Sequence, residues 1–184
     1  MQLNSLKESP LFLWRTLDDL AKKERGMIQK SSPNLISILK TLADFELAAS
    51  ELYRTCSQVL DVDKEFWKDM QQAELKHVKN VNRMTDIVSA KPGDYTAGHV
   101  FSPAAVQTTI SGIKANIQRL VKREIAGRNM FFIARDLEQS MLERNYTEIV
   151  RTHDPEFQSL MKEMLADTIS HRDQLDRKIR EIGS

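Results

Sequence analysis

Two stretches of the chain return apolar residues at the three- and four-residue spacing of an α-helix. In the first, Leu35, Ile38, Leu39, Leu42, Phe45, Leu52, Cys56, Val59 and Leu60 share one face; in the second, Phe66, Met70, Ala73, His77, Val81, Met84 and Val88 do. That period, held over several turns, rules out strands, whose inward positions alternate every second residue. A helix with one apolar face must bury it against another element, so the pattern demands a helical bundle. The spacing predicts helices over about 33–60 and 64–90. Six glycines and five prolines are few for 184 residues, as long uninterrupted helices require.

The prolines stand where they would open helices. "SSPNL", "FSPAA" and "HDPEF" each place Ser or Asp at the N-cap and Pro at the first helical position. Asp61 and Asp63 offer caps for the second helix, and "KPGD" ends it. From Pro103 the pattern stays helical to about Thr152, but roughly 50 residues of helix would reach about 75 Å, too long for a compact domain. A break is expected, with Gly112 and Gly127 as candidates, giving helices over about 123–152 and 155–182 and a long link, 91–122, with a short helix of its own. Two short-linked hairpins joined by one long link make an all-α four-helix bundle with one long crossover. This bundle would occupy 31–184. Residues 1–30 would form an N-terminal helical extension whose stripe, Leu11, Trp14, Leu17 and Ala21, packs on the bundle or on a second subunit.

Charge narrows the function. Twenty-seven basic side chains balance 26 acidic ones, which leaves no electrostatic footprint for nucleic acid or an anionic membrane. No apolar run approaches the roughly 20 residues that span a bilayer. "LFLW" near the start is soon followed by "DD", unlike the apolar core of a secretory signal. A cytoplasmic protein is the expectation. Cys56, the single cysteine, permits no internal disulfide and no all-cysteine metal site within one chain, and reads as a small core residue.

The two predicted hairpins resemble each other. "ADFELAASEL" from Ala43 matches "RDLEQSMLER" from Arg135, pairing Glu46 with Glu138 and Glu51 with Glu143. "MQQAELKHVKNV" from Met70 matches "MLADTISHRDQL" from Met164, pairing His77 with His171 and Glu74 with Thr168. His77 follows Glu46 by 31 residues and His171 follows Glu138 by 33, so each His would face the Glu of its partner helix at similar depth. Glu74 and His77, three residues apart, project from one helical face. Glu46 and Glu138 interrupt apolar stripes, and a buried carboxylate needs a proton, a cationic partner or a metal. Four inward Glu and His groups at one level suit a metal pair, with Fe, Mn or Zn favoured over Ca or Mg by the nitrogen ligands. The alternative is that Glu46 and Glu138 face solvent and the histidines are ordinary core or surface residues. Glu51 and Glu143, about 140° around their helices from the inner carboxylates, read as solvated.

"FELAASELY", "AELKHV", Glu138 and His171 resemble the Glu, Glu-x-x-His, Glu, Glu-x-x-His ligand series of the ferritin-like superfamily, in particular its rubrerythrin-like di-iron members, over roughly 33–180. The resemblance implies a ferritin-like bundle in which Glu46, Glu74, His77, Glu138 and His171 hold two iron ions, with Mn or Zn as alternatives. It implies an oxidoreductase class: reaction with hydrogen peroxide or oxygen, or oxidation of Fe(II). Thr168 stands where the second motif has Glu; Asp167 could compensate, being four residues before His171, although it lies about 100° around the helix from Thr168. The paired Cys-x-x-Cys motifs of the rubredoxin-like module are absent, so the reductant would be an external electron donor. Tyr53, seven residues after Glu46, matches the family's tyrosine and would hydrogen-bond a ligand or peroxide, unless it is simply a core tyrosine. Asn145 stands at its repeat-equivalent position. Architecture of this kind commonly forms a homodimer. Two other functions fit: a metal-free helical interaction or structural module, for which Thr168 speaks, and a di-iron hydroxylase of a larger substrate.

Overall fold

Each of four helices buries a row of side chains at alternating steps of three and four residues. In helix α1 (Pro10–Val59) the row is Leu35, Leu39, Leu42, Glu46, Ala49, Tyr53 and Cys56, and in α2 (Lys64–Ala90) it is Trp67, Met70, Glu74, His77, Val81, Met84 and Val88. In α4 (Gly127–Glu143) it is Phe131, Ala134, Glu138 and Met141, and in α5 (Pro155–Gly183) it is Phe157, Met161, Met164, Thr168, His171 and Leu175. This is the seam of helices that cross at shallow angles in a bundle. The computed structural model describes residues 10–98, 102–143 and 149–183, and the side chains of 35–98, 102–143 and 149–182. Leu11, Trp14, Leu17, Ala21 and Asn145 therefore lie outside the described side chains.

Contacts between named residues give the helix directions. Glu46 meets His77 while Tyr53 meets Trp67, so α1 and α2 are antiparallel; Glu138 meets His171 while Arg135 meets Asp176, so α4 and α5 are too. His77 meets Asp167 and Arg83 meets Glu156 across α2 and α5, again antiparallel. The α4 backbone at Gly127 comes so close to Leu60, just past the end of α1, that an added Cβ would sit 3.2 Å from a Leu60 methyl. Because α2 and α4 run the same way, the link between them must carry the chain back along the bundle. Helix α3 (Pro103–Val121) does so, laying Val106, Ile110, Ile113, Ile117 and Leu120 onto α1.

The all-α bundle expected from the sequence is what the chain forms, with several boundaries moved. Pro33 does not open a helix; α1 runs through it for 50 residues. Proline there costs the hydrogen bond it cannot donate to Gln29, and the helix continues on either side. The return link holds a 19-residue helix rather than a short one, and Gly112 sits inside it. The break falls just before Gly127, where Arg123 turns through a left-handed conformation (φ 59°). The helix expected over 123–152 ends at Glu143. Val150 and Arg151 instead form β2, pairing antiparallel with β1 (Thr96–Ala97), in a ribbon that buries Ile149 and Val150. β-branched residues followed by "THDP" favour this: the residue before a proline avoids helical backbone.

The caps are mixed. Ser102 accepts from the Ala105 amide at 3.3 Å and Asp154 from the Phe157 amide at 2.9 Å, as their Ser-Pro and Asp-Pro sequences predict. Asp63 precedes α2 in a left-handed conformation (φ 55°) without capping it; its carboxylate accepts from Lys178 of α5 at 2.6 Å. Along α2 the buried row passes through Trp67, where the periodicity puts Phe66, about a 100° step away, and through Glu74, expected to face inward with His77, while Ala73 is only half-buried. Among the described residues no helix is long and apolar enough to cross a membrane.

Gly112 faces open space on α3. Gly112→Ala is expected to stabilise the protein by about 0.5–1 kcal/mol through reduced backbone entropy of the unfolded chain, read as an increased midpoint in urea denaturation.

Candidate metal centre

Five of the seam residues at mid-bundle are ionisable. Glu46 comes from α1, Glu74 and His77 from α2, Glu138 from α4 and His171 from α5, and each is at most 6% exposed. The next residues along the seams close this layer on both sides. Leu42, Val81, Met141 and Met164 lie toward the ribbon end, with Ala49, Met70, Ala134 and Leu175 toward the other, all buried. A cavity of about 860 Å³, lined in part by Thr96, Arg151, Phe157 and Met161, lies at the ribbon end and includes none of the five.

Glu74 is at the centre. Its Oε2 is 3.0 Å from His77 Nδ1 and its Oε1 is 3.1 Å from His171 Nδ1. The outer carboxylates complete a near-symmetric pair: Glu46 is 3.8 Å from His77 Nδ1, and Glu138 is 3.8 Å from His171 Nδ1. Two groups of potential metal ligands result, Glu46–Glu74–His77 and Glu74–Glu138–His171, with ligand atoms within 4.8 Å of one another in each. The imidazole centroids are 5.8 Å apart.

Tyr53 donates a 2.6 Å hydrogen bond to Glu138 Oε1, tying α1 of the first hairpin to α4 of the second. Its hydroxyl is fully buried, and burial together with the neighbouring carboxylates pushes its pKa well above the ordinary value, so it remains a donor. Trp67 backs Tyr53, with ring centroids 5.9 Å apart. The sequence reading passed over this tryptophan, although the three-and-four rhythm through Met70, His77 and Val81 leads back to it. Asp167 does not join either ligand group. Its carboxylate is 3.5 Å from the outer nitrogen of His77, Nε2, and 3.3 Å from Lys76 Nζ, which also pairs with Glu163. Thr168 occupies the seam position equivalent to Glu74 and is buried, and its hydroxyl donates to its own helix at the Met164 carbonyl, 2.9 Å away. The layer is thus one carboxylate short of the duplicated pattern. Glu51, Glu143 and His153 are exposed and Cys56 is fully buried, while His99 lies outside the described residues.

The electrostatics are those of a site built for positive charge. Burial pushes the Glu46 carboxyl up, to about 8 despite the nearby His77. Burial likewise raises Glu138, with the Glu74 charge adding to the effect. At Glu74 burial acts upward too, but the two imidazoles facing its oxygens outweigh it and hold this carboxyl well below the usual range. Burial opposes charging of the histidines, yet the facing carboxylates raise His77 to about 11 and His171 to about 10. Without a metal, protons supply the cationic charge. They do so incompletely: Glu74 Oε1, His171 Nδ1 and, on the outer side of its ring, His77 Nε2 are buried with no hydrogen-bond partner in acceptable geometry. Three carboxylates and two imidazoles around two divalent cations would satisfy Glu74 Oε1 and His171 Nδ1 and nearly balance the charge, so the residues fit a metal pair.

Comparison of the chain with family models, curated proteins and solved structures finds no match. The reading of the site therefore rests on its own geometry.

The raised groups make the metal-free protein pH-sensitive. Between the ordinary values (4.5 for Glu46, 6.5 for the histidines) and the folded-state values near 8, 10 and 11, the folded protein holds protons the unfolded chain has released. The stability these groups contribute is fully present below their unfolded values and is lost as pH rises through the folded ones. The denaturation midpoint of chelator-treated protein is expected to fall from pH 6.5 to 10, while protein kept with a divalent metal is expected to lose less over the same range, because ligand deprotonation favours binding. Parallel urea titrations with and without chelator measure the difference.

Proposed function

We propose that this is a ferritin-like di-metal protein of the rubrerythrin-like kind, with iron as the metal pair, acting as an oxidoreductase on hydrogen peroxide or oxygen or on Fe(II) itself. One observation carries the reading: the two oxygens of the buried Glu74 each face a different histidine, so two ligand groups share one carboxylate. A structural buried ion pair needs one carboxylate and one cation. Three carboxylates converging on two imidazoles in one buried layer exceed what a structural ion pair requires, and the surplus negative charge is what bound cations would offset.

In this reading Glu46 and His77 would hold one ion, Glu138 and His171 the other, and Glu74 would bridge them. Bound iron would supply electron transfer at coordination positions that the protein leaves open. The residues do the rest. Thr168 withholds a second carboxylate, so a small oxygen-containing ligand would be needed to complete the coordination that a Glu there would supply. Tyr53, held as a proton donor, orients Glu138 by reaching its hydroxyl into the layer from one turn beyond Ala49. The apolar side chains on both sides keep bulk water away, which strengthens each electrostatic contact in the centre. Peroxide reduction to water consumes two electrons and two protons. The electrons would come from an external donor, because the sequence carries a single cysteine, Cys56, and no paired Cys-x-x-Cys motifs.

The test is metal content with reactivity. Protein loaded anaerobically with Fe(II) and washed is expected to retain about two ions per chain, and Glu74→Ala to lose both, because one carboxylate serves both groups. Addition of peroxide is expected to oxidise the bound Fe(II) faster than free Fe(II) in the same buffer. Retention below about a tenth of an ion per chain would overturn the reading in favour of a metal-free helical module.

A further inference from the structure

The duplicated ligand groups are not equivalent, and the differences act in one direction. Behind His77 stands Asp167, 3.5 Å from the ring nitrogen that faces away from Glu74, anchored by Lys76. For His77 to coordinate through Nδ1, its remaining hydrogen must sit on Nε2, which the Asp167 carboxylate faces at 3.5 Å without making a hydrogen bond in this structure; a small shift of the partly exposed Asp167 would close that gap. A carboxylate in that position orients the ring and makes its inner nitrogen a better donor to a metal. Among the described residues His171 has no such support: the carboxylates that pair with it, Glu74 and Glu138, both belong to the ligand groups. In the repeat, the position matching Asp167 is Ala73, which offers no polar group.

The outer carboxylates differ in the opposite sense. Among the described residues Glu46 meets only His77 and Glu74, so its charge is available to an ion. Glu138 already accepts the short hydrogen bond from Tyr53 at Oε1, while Oε2 faces His171; a donor on one oxygen draws charge from the whole carboxylate and weakens it as a ligand. The better imidazole and the freer carboxylate fall in the same group.

We infer that the two positions fill in order, a divalent cation entering Glu46–Glu74–His77 first and Glu138–Glu74–His171 second, with Asp167 and Tyr53 as the positioning residues that set the order. This rests on the metal-pair reading above. The first ion would then be a resident, structural one, and the more weakly held second position, beside Tyr53, would be the one where an ion exchanges.

Crystals grown without metal and soaked with one equivalent of Co(II) per chain, recorded on both sides of the Co edge, separate the possibilities. Anomalous density is expected between Glu46, Glu74 and His77, with occupancy several-fold above that at the other position. In solution, a Co(II) titration followed by visible absorption is expected to show two steps separated by about 10–100-fold in affinity, the range over which a supporting carboxylate acts. Asp167→Asn, on a partly exposed residue, should collapse that separation with little change in thermal stability; Tyr53→Phe should tighten the second step while leaving the first. Equal occupancy, first occupancy at the Glu138 position, or a step ratio unmoved by Asp167→Asn overturns the order while the metal-pair reading stands. Density at neither position, with no Co(II) bound in solution, overturns both.

Discussion

Three carboxylates placed in one dry layer of a helical bundle are the constraint to which the rest of the structure answers. Each would resist burial alone. Together, around two histidines, they form a nest of negative charge that only protons or cations can offset. Glu74 makes this a single unit, because each of its oxygens is committed to a different imidazole. The bundle supplies what such a unit requires: four helices held in register so that five side chains reach one level, and closely packed apolar layers above and below that keep water from competing.

Register comes from the seams. In every one of the four helices, the functional residues occupy positions that a leucine or methionine would fill one turn away. The alternating steps of three and four keep each row facing inward along its length, so depth in the bundle is set by position along the row. Antiparallel packing of α1 with α2, and of α4 with α5, then brings Glu46 to His77 and Glu138 to His171. Cross-hairpin contacts align the halves: Tyr53 to Glu138, Asp63 to Lys178, and the Arg83–Glu156 pair. The duplication provides a nearly two-fold centre, and the departures from it, Thr168 for Glu and Asp167 against Ala73, make its halves chemically different.

Much of this was legible in the chain. Glu46 and Glu138 stood out as charges inside apolar rows, and the repeat set His77 and His171 opposite them, because helical spacing is a local property that the sequence encodes directly. What misled was also local. Pro33 looked like a helix start by its Ser-Pro context, yet one lost hydrogen bond does not stop a long helix. The segment near Val150 continued a helical pattern by residue type, yet it pairs with Thr96 and Ala97, more than 50 residues earlier, and long-range strand pairing leaves no periodic trace in two-residue strands. Asp167 was a candidate ligand on its spacing from His171; its place behind His77 depends on how α5 lies against α2.

By itself, then, the amino-acid sequence determined that the chain forms long amphipathic helices, that the bundle repeats, and that Glu and His interrupt its inward faces, since periodicity and residue chemistry are carried by each helix alone. The tertiary structure decided that Glu74 lies between two histidines, that Tyr53 hydrogen-bonds Glu138, and that Asp167 lies beside the outer nitrogen of His77. Those assignments depend on the approach of helices distant in sequence, where displacement by a single helical position would exchange one partner for another.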